Sequence, residues 1–152
     1  MNIKRLPIAF QNVIGLKATC QQDSWYEYAQ SIRNNVVLNN LYATGPISFQ
    51  VEESSHQSED MTFTFFQPVN DRVKVKSNDE FFFKEELFFE DGLLIRHADL
   101  NDDIEEIYMI LEMAAKELGV QLQKPYLHIY LNVYGEGIID IYAPIVGMND
   151  ND

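Results

Sequence analysis

The 152 residues, 46% of them hydrophobic and 12% aromatic, suit one domain with a single sizeable core and exclude a disordered chain. With 24 acidic against 11 basic side chains, the formal net charge of -13 has the wrong sign for a phosphate backbone, which excludes nucleic acid as the main partner. A single Cys allows neither an intramolecular disulfide nor a Cys-based zinc site, and Cys20 is expected as a buried or half-buried thiol. No window approaches roughly 18 uninterrupted apolar residues. The run Leu6-Pro7-Ile8-Ala9-Phe10 is too short for a signal peptide, so a cytoplasmic protein with no membrane segment is expected.

Ile8 to Thr19 reads as a strand, and Gln21-Gln22-Asp23-Ser24 as a helix start in which Asp or Ser caps the first turn. A helix follows over about 24–39, with Trp25, Tyr28, Ile32 and Val36 forming one apolar stripe. Gly45-Pro46 breaks it, and Ile47 to Val51 alternates as a strand. Residues 52–60 read as a hairpin loop into Met61 to Phe65, a strand that Pro68 closes. Val73 and Val75 alternating with Lys74 and Lys76 suggest an edge strand. Phe81-Phe82-Phe83, Leu87-Phe88-Phe89 and Leu93-Leu94-Ile95 are strand residues around the turn signal Asp91-Gly92, with Phe82 facing away from its two neighbours. That run either has both faces covered or exposes a patch suited to a second copy of the chain. Asn101-Asp102 caps a second helix with Ile104, Ile107, Tyr108, Leu111, Ala115 and Leu118 in helical period, and Gly119 stops it. Tyr126 to Tyr134 is a long strand, Gly135-Glu136-Gly137 turns it, and Ile138 to Tyr142 runs back until Pro144 ends it. A polar tail closes the chain.

The order strand, helix, strand, strand thus occurs twice. Phe10 aligns with Phe88, Asp23-Ser24 with Asn101-Asp102, Pro46 with Pro125, and Phe66-Gln67-Pro68-Val69 with Tyr142-Ala143-Pro144-Ile145, all 76 to 79 positions apart. The expected fold is α+β: two strand-helix-strand-strand repeats forming one mostly antiparallel curved sheet, with two helices on one face. The domain is expected to span 1–152, with repeat 1 at about 6–69, a connection at about 70–80 and repeat 2 at about 81–147. An aromatic-lined trough between the halves is a natural place for a small molecule.

The element order, Gly45-Pro46 before a strand, and the closing Ile139-Asp140-Ile141-Tyr142-Ala143-Pro144-Ile145 resemble GyrI-like domains, the effector-binding domains of multidrug-responsive regulators. The resemblance covers nearly the whole chain. It implies binding of small, often cationic aromatic molecules in a cleft between the repeats, with a Glu two residues before a Tyr on a long strand near the C-terminus. In the matching stretch Leu127-His128-Ile129-Tyr130 the Tyr is retained, but His128 stands in the carboxylate's place and brings no fixed negative charge. Nothing in the chain reads as a helix-turn-helix, so a stand-alone binding module is expected. In overall look the chain is also similar to small acidic proteins of type VII secretion clusters in Gram-positive bacteria.

His128 shares a strand face with Tyr126 and Tyr130, and reads either as a ligand contact or as a core histidine held by a neighbouring hydroxyl. Glu112 follows Tyr108 and Ile104 at four-residue steps, which places it beside the apolar stripe, to meet a ligand or to lie solvated near Lys116. The candidate ligand-binding residues are Trp25, Tyr108, Glu112, Tyr126, His128 and Tyr130. No catalytic residue, metal site or cofactor is expected: His56 and His97 lack ligand spacing, and no paired or pKa-shifted carboxylate can be read from the spacing. Residues 79–117 hold 13 carboxylates and three basic groups, a solvated face or a dock for a basic partner. The expected function is non-catalytic binding of a small organic ligand. The alternative is a protein-interaction or accessory factor that uses the acidic surface, with self-association possible in either case.

Overall fold

The computed structural model describes residues 3–21, 24–53, 60–74, 80–97, 104–133 and 135–148. Its elements are β1 (Ile3–Arg5), β2 (Ile8–Gln21), α1 (Trp25–Leu38), β3 (Ser48–Glu53), β4 (Asp60–Pro68), β5 (Phe81–Phe89), β6 (Gly92–His97), α2 (Ile104–Leu118), β7 (Val120–Leu122), β8 (Leu127–Val133) and β9 (Glu136–Met148). The fold is α+β, with antiparallel strand pairing and one helix for each half. By contact the chain divides into a first unit, Ala9–Leu87, and a second, Met1–Ile8 with Phe88–Asp152.

In the first unit the strands run β3-β4-β2-β5. β4 is central because it pairs β2 from Val13↔Pro68 to Gln21↔Asp60 and β3 from Ser48↔Phe66 to Glu53↔Met61. α1 buries Ala29, Ile32 and Val36, and the Tyr28 ring lies parallel to Phe65 with centroids 6.4 Å apart. On the other sheet face Phe82 packs edge-on to Phe66 and covers Gly15, where an added Cβ would overlap its ring. Phe81, Phe82 and Phe83 are all half-buried, so the exposed aromatic of β5 is Phe88 instead.

The second unit repeats the plan with β9 central. β9 pairs β6 from Gly92↔Pro144 and β8 from Leu127↔Tyr142. β1 extends the β6 edge, and β7 adds to β9. Equivalent registers are offset by constant amounts: Val13↔Pro68 becomes Gly92↔Pro144, and Ser48↔Phe66 becomes Leu127↔Tyr142, 79 positions for the first partner and 76 for the second. The same 79 carries Ile32 and Val36 of α1 to Leu111 and Ala115 of α2, all four buried. α2 sits over Leu93, Ile95, Ile139, Ile141 and Ala143, and Gly119, at φ 70, ends it with an amide bonded to the Lys116 carbonyl.

Several expectations need correction. The first strand of the second repeat is β6, which holds the register against β9 that β2 holds against β4. Pro144 does not end β9. On the β7/β8 side it falls where β8 has stopped at Leu127↔Tyr142 and β7 has not begun at Leu122↔Ile145, so no ladder partner on that side needs its missing N–H; its carbonyl, on the same side, accepts from the Gln123 amide at 2.8 Å. The β8–β9 turn lies one residue earlier than Gly135-Glu136-Gly137, since Val133 already pairs Glu136; Gly135 takes φ 84, and its amide donates to Asn132 Oδ1. The Ser24 side chain makes no capping bond. Val73 and Lys74 are not in a strand, and residues 75–79 lie outside the described residues, as do Asp23, most of the 52–60 loop, His56, the Asn101-Asp102 cap, Tyr134 and the tail beyond Met148. Cys20 is buried, as expected.

Candidate functional site

α2 and the strand beneath it bring four of the six candidate residues together. Successive side chains on a strand alternate faces, so Tyr126, His128 and Tyr130 point the same way, and here that way is toward α2. Tyr126 belongs to the core under the helix, and Tyr130 packs against it. His128, 2% exposed, forms a 2.5 Å hydrogen bond between its Nε2 and the Tyr108 hydroxyl. This is the core-histidine alternative, in which a buried imidazole is satisfied by a hydroxyl from the helix above. Tyr108 also meets Tyr126 edge-on, with ring centroids 5.2 Å apart.

Glu112 stands one turn further along α2. A hollow of about 370 Å³ opens beside it, lined by Ala115, Val120 and Leu122 as apolar walls and by Glu112, Lys116, Gln121, Lys124 and Tyr126. Lys124 Nζ lies 3.8 Å from Glu112 Oε1 and 6.0 Å from the Tyr126 ring centroid. Tyr126 is only 5% exposed, yet among the described residues its hydroxyl has no hydrogen-bond partner. The Ser48 hydroxyl is the fully buried side-chain polar atom without a partner among those residues, so the Tyr126 oxygen keeps its exposure, at the hollow. Burial, and secondarily the Glu112 charge, push the Tyr126 phenol up to about 12. It therefore remains a neutral O–H donor across the physiological range.

Trp25 is not part of this cluster. It lies in the first unit, stacked on Tyr26 at 3.9 Å and tilted against Phe49 at 5.1 Å. Lys124, Gln121 and Leu122 escaped the sequence reading because β7 has three residues, too few to show a period. A carboxylate two residues before a Tyr is present one strand later than His128-Ile129-Tyr130, at Asp140-Ile141-Tyr142 of β9. The signal was in the closing run itself. Ile139, Ile141 and Ala143 face α2, so Asp140 and Tyr142 face the other side of the sheet. There Arg96 Nε donates to Asp140 Oδ1 at 2.8 Å and its Nη2 to Oδ2 at 3.3 Å, and this bond, with the charge of Asp140, raises the guanidinium's pKa. Both carboxylate oxygens are engaged within the protein. Among the described residues no group of three or more His, Cys, Asp or Glu could hold a metal ion.

The family model described as Domain of unknown function (DUF5085) matches residues 9–147. The chain belongs to this family. Three solved proteins share its fold. EcmrR in its complex with DNA matches at TM-score 0.73 and 16% identity over 95% of this chain and 57% of that one, so this chain spans little more than half its length. The EcmrR C-terminal domain alone matches at 0.69 and 15%, over 97% of this chain and all of that one. SAV2435 bound to tetraphenylphosphonium matches at 0.53 and 12%, over 97% and 95%. A hydrolase from Listeria innocua matches at 0.64 and 10%, over 95% and 91%. At such identities the likeness is one of fold alone, the fold of the EcmrR C-terminal domain and of SAV2435. No curated protein matches the chain by sequence. Among the described residues no helix is long and apolar enough to cross a membrane.

Proposed function

We propose that this domain binds a small organic molecule without reacting it, and that the molecule sits in the hollow beside Tyr126. The observation that carries this reading is a nearly buried tyrosine whose hydroxyl has no partner among the described residues and which lines a hollow of about 370 Å³, within the range of small-molecule sites. A buried polar group without a partner is unfavourable, and a ligand acceptor would supply one. In support, SAV2435, which shares the fold, is bound to tetraphenylphosphonium.

The chemistry suits a ligand with an apolar body and one hydrogen-bond acceptor. Val120, Leu122 and Ala115 would hold the body, Tyr126 would donate to the acceptor, and Glu112 with Lys124 would border the entrance. Tyr108 and His128 act as positioning residues, since their bond and the edge-on contact fix the Tyr126 ring. Glu112 is exposed and paired with Lys124, which fits a binding rim better than a general acid or base.

The test is a thermal-shift titration with tetraphenylphosphonium, 2-naphthol and 1-naphthoate. At a hundredfold excess over Kd a bound probe contributes about 2.7 kcal/mol, a rise in Tm of about 5 °C or more for a chain of this size. Tyr126→Phe, which removes only the oxygen, should weaken 2-naphthol or 1-naphthoate, the probes with an oxygen acceptor, about fivefold. If no probe raises Tm, or if the Phe variant binds as well as the original, the reading fails.

A further inference from the structure

The outward face of α2 carries a feature that the hollow does not use. Ile107, Leu111 and Ala115 point into the core, and the line directly opposite them on a helix of 3.6 residues per turn is Glu105, Met109, Met113 and Glu117. Both methionines are open to solvent, Met109 at 61% and Met113 at 64%. Glu106 flanks them, and Lys116 is the one basic side chain on this face of the helix. The fold does not require this pattern. At the equivalent positions of α1, 79 residues earlier, stand Gln30 and Asn34, whose amides bond each other at 3.1 Å, as an ordinary solvated ridge would.

We infer that the Met109–Met113 line docks a basic amphipathic helix of another protein. Methionine is unbranched and polarizable, so an exposed pair offers an adaptable apolar seat. The carboxylates around it select the charge of whatever covers it. A second copy of this chain would bring the same carboxylates against them, and an anionic lipid or nucleic-acid surface would be repelled in the same way. The partner must therefore carry apolar side chains between basic ones. At 1.5 Å per residue, Glu106 and Glu117 lie roughly 16 Å apart along the helix axis, so the bracketing cations should be about as far apart.

The test uses the full chain and three synthetic helical peptides of equal length: one with a Leu stripe flanked by Lys, one with Ser replacing Leu, and one with Glu replacing Lys. Anisotropy titration should show the Lys/Leu peptide binding at least tenfold more tightly than either control. The Met109→Ser/Met113→Ser pair and the Glu106→Lys/Glu117→Lys pair should each weaken it at least tenfold. All four positions are exposed and lie outside the hollow, and an unchanged Tm will show that these variants fold. Tyr126→Phe should leave peptide binding unchanged, so failure of this inference and failure of the ligand site are read separately. The inference is overturned if the Lys/Ser peptide binds as tightly as Lys/Leu, if the methionine pair binds like the original chain, or if the face instead drives self-association.

Discussion

Where the first unit stacks Phe49, Phe63 and Phe65 beneath α1, the second sets His128, Ile139 and Ile141 beneath α2 at the equivalent register positions. In the first unit the rings interlock, with Phe63 parallel to Phe65 at 5.7 Å and Phe49 tilted against both at 5.8 Å. A phenyl ring needs only close packing, so the helix above it can present a small residue, Ala29. An imidazole in the same place needs a hydrogen bond as well, and the residue equivalent to Ala29 is Tyr108, which supplies it. One polar substitution in a strand is thus matched by one in the helix. The by-product is a tyrosine, Tyr108, that also braces Tyr126 at the hollow. The ligand candidate of the second unit follows from how its core was filled.

The largest test of the contrast is truncation of the ring stack. Phe65→Ala should cost about 4 kcal/mol in urea unfolding, and Ile141→Ala about 3, since a ring leaves the larger cavity. Equal or inverted losses would break the idea that the aromatic core is the stronger one.

Next come two glycines that each lie under an aromatic ring. An added Cβ at Gly15 overlaps Phe82, and one at Gly92 overlaps Tyr142. Phe82 is half-buried and can swing aside. Tyr142 is fully buried, packs against Phe89 at 5.7 Å and donates its hydroxyl to the Leu6 carbonyl at 2.8 Å. Gly92→Ala should therefore cost about 3 kcal/mol and Gly15→Ala about 1 kcal/mol, compared by chemical denaturation.

The polar pair itself is tested by a double-mutant cycle. Tyr108→Phe removes the bond to His128 and should lose about 1–2 kcal/mol. Combining it with His128→Phe, the first unit's own choice at that position, should recover about 1 kcal/mol relative to additivity. A coupling of zero would mean that the bond is incidental.

The smallest effect is a titration in the second unit. Burial first, and the Asp91 charge second, push the Tyr142 phenol up to about 12, as burial does for Tyr126. The folded state favours the neutral phenols against an unfolded value of about 10. Their share of stability is whole below pH ~10 and is lost as pH rises from ~10 toward ~12. Spectrophotometric titration of the eight tyrosines should show a late-ionising fraction that shrinks in Tyr126→Phe. The Arg5–Asp91 pair runs the other way: the 2.7 Å bond from Arg5 lowers the Asp91 carboxyl, so its contribution is present above pH ~4 and lost as pH falls further.

Much of this was legible in the chain. The stripe Ile32 and Val36, its counterpart Leu111 and Ala115, and the 76 to 79 offset follow from periodicity, which a single sequence records. The faces of Tyr126, His128 and Tyr130 were legible as shared, because alternation fixes them relative to each other. Which side that face looks at was not, since alternation is silent about which side carries the helix. That side is what separates the two readings of His128, and α2 lies over it, with the Tyr108 hydroxyl bonded to the ring. The short strands were hidden for a related reason: β1 and β7 have three residues each, and what makes them strands is the neighbour they pair with.

By itself, then, the sequence determined two repeats of strand, helix, strand, strand, their spacing, and an acidic second helix, because local hydrophobic period acts over a few positions. Tertiary structure alone decided that Tyr108 meets His128 across 20 residues, that Tyr126 lines a hollow with a hydroxyl that has no partner among the described residues, and that Arg96 occupies Asp140 across 44. Those are contacts between elements, and their geometry depends on strand register and helix placement, which no residue specifies on its own.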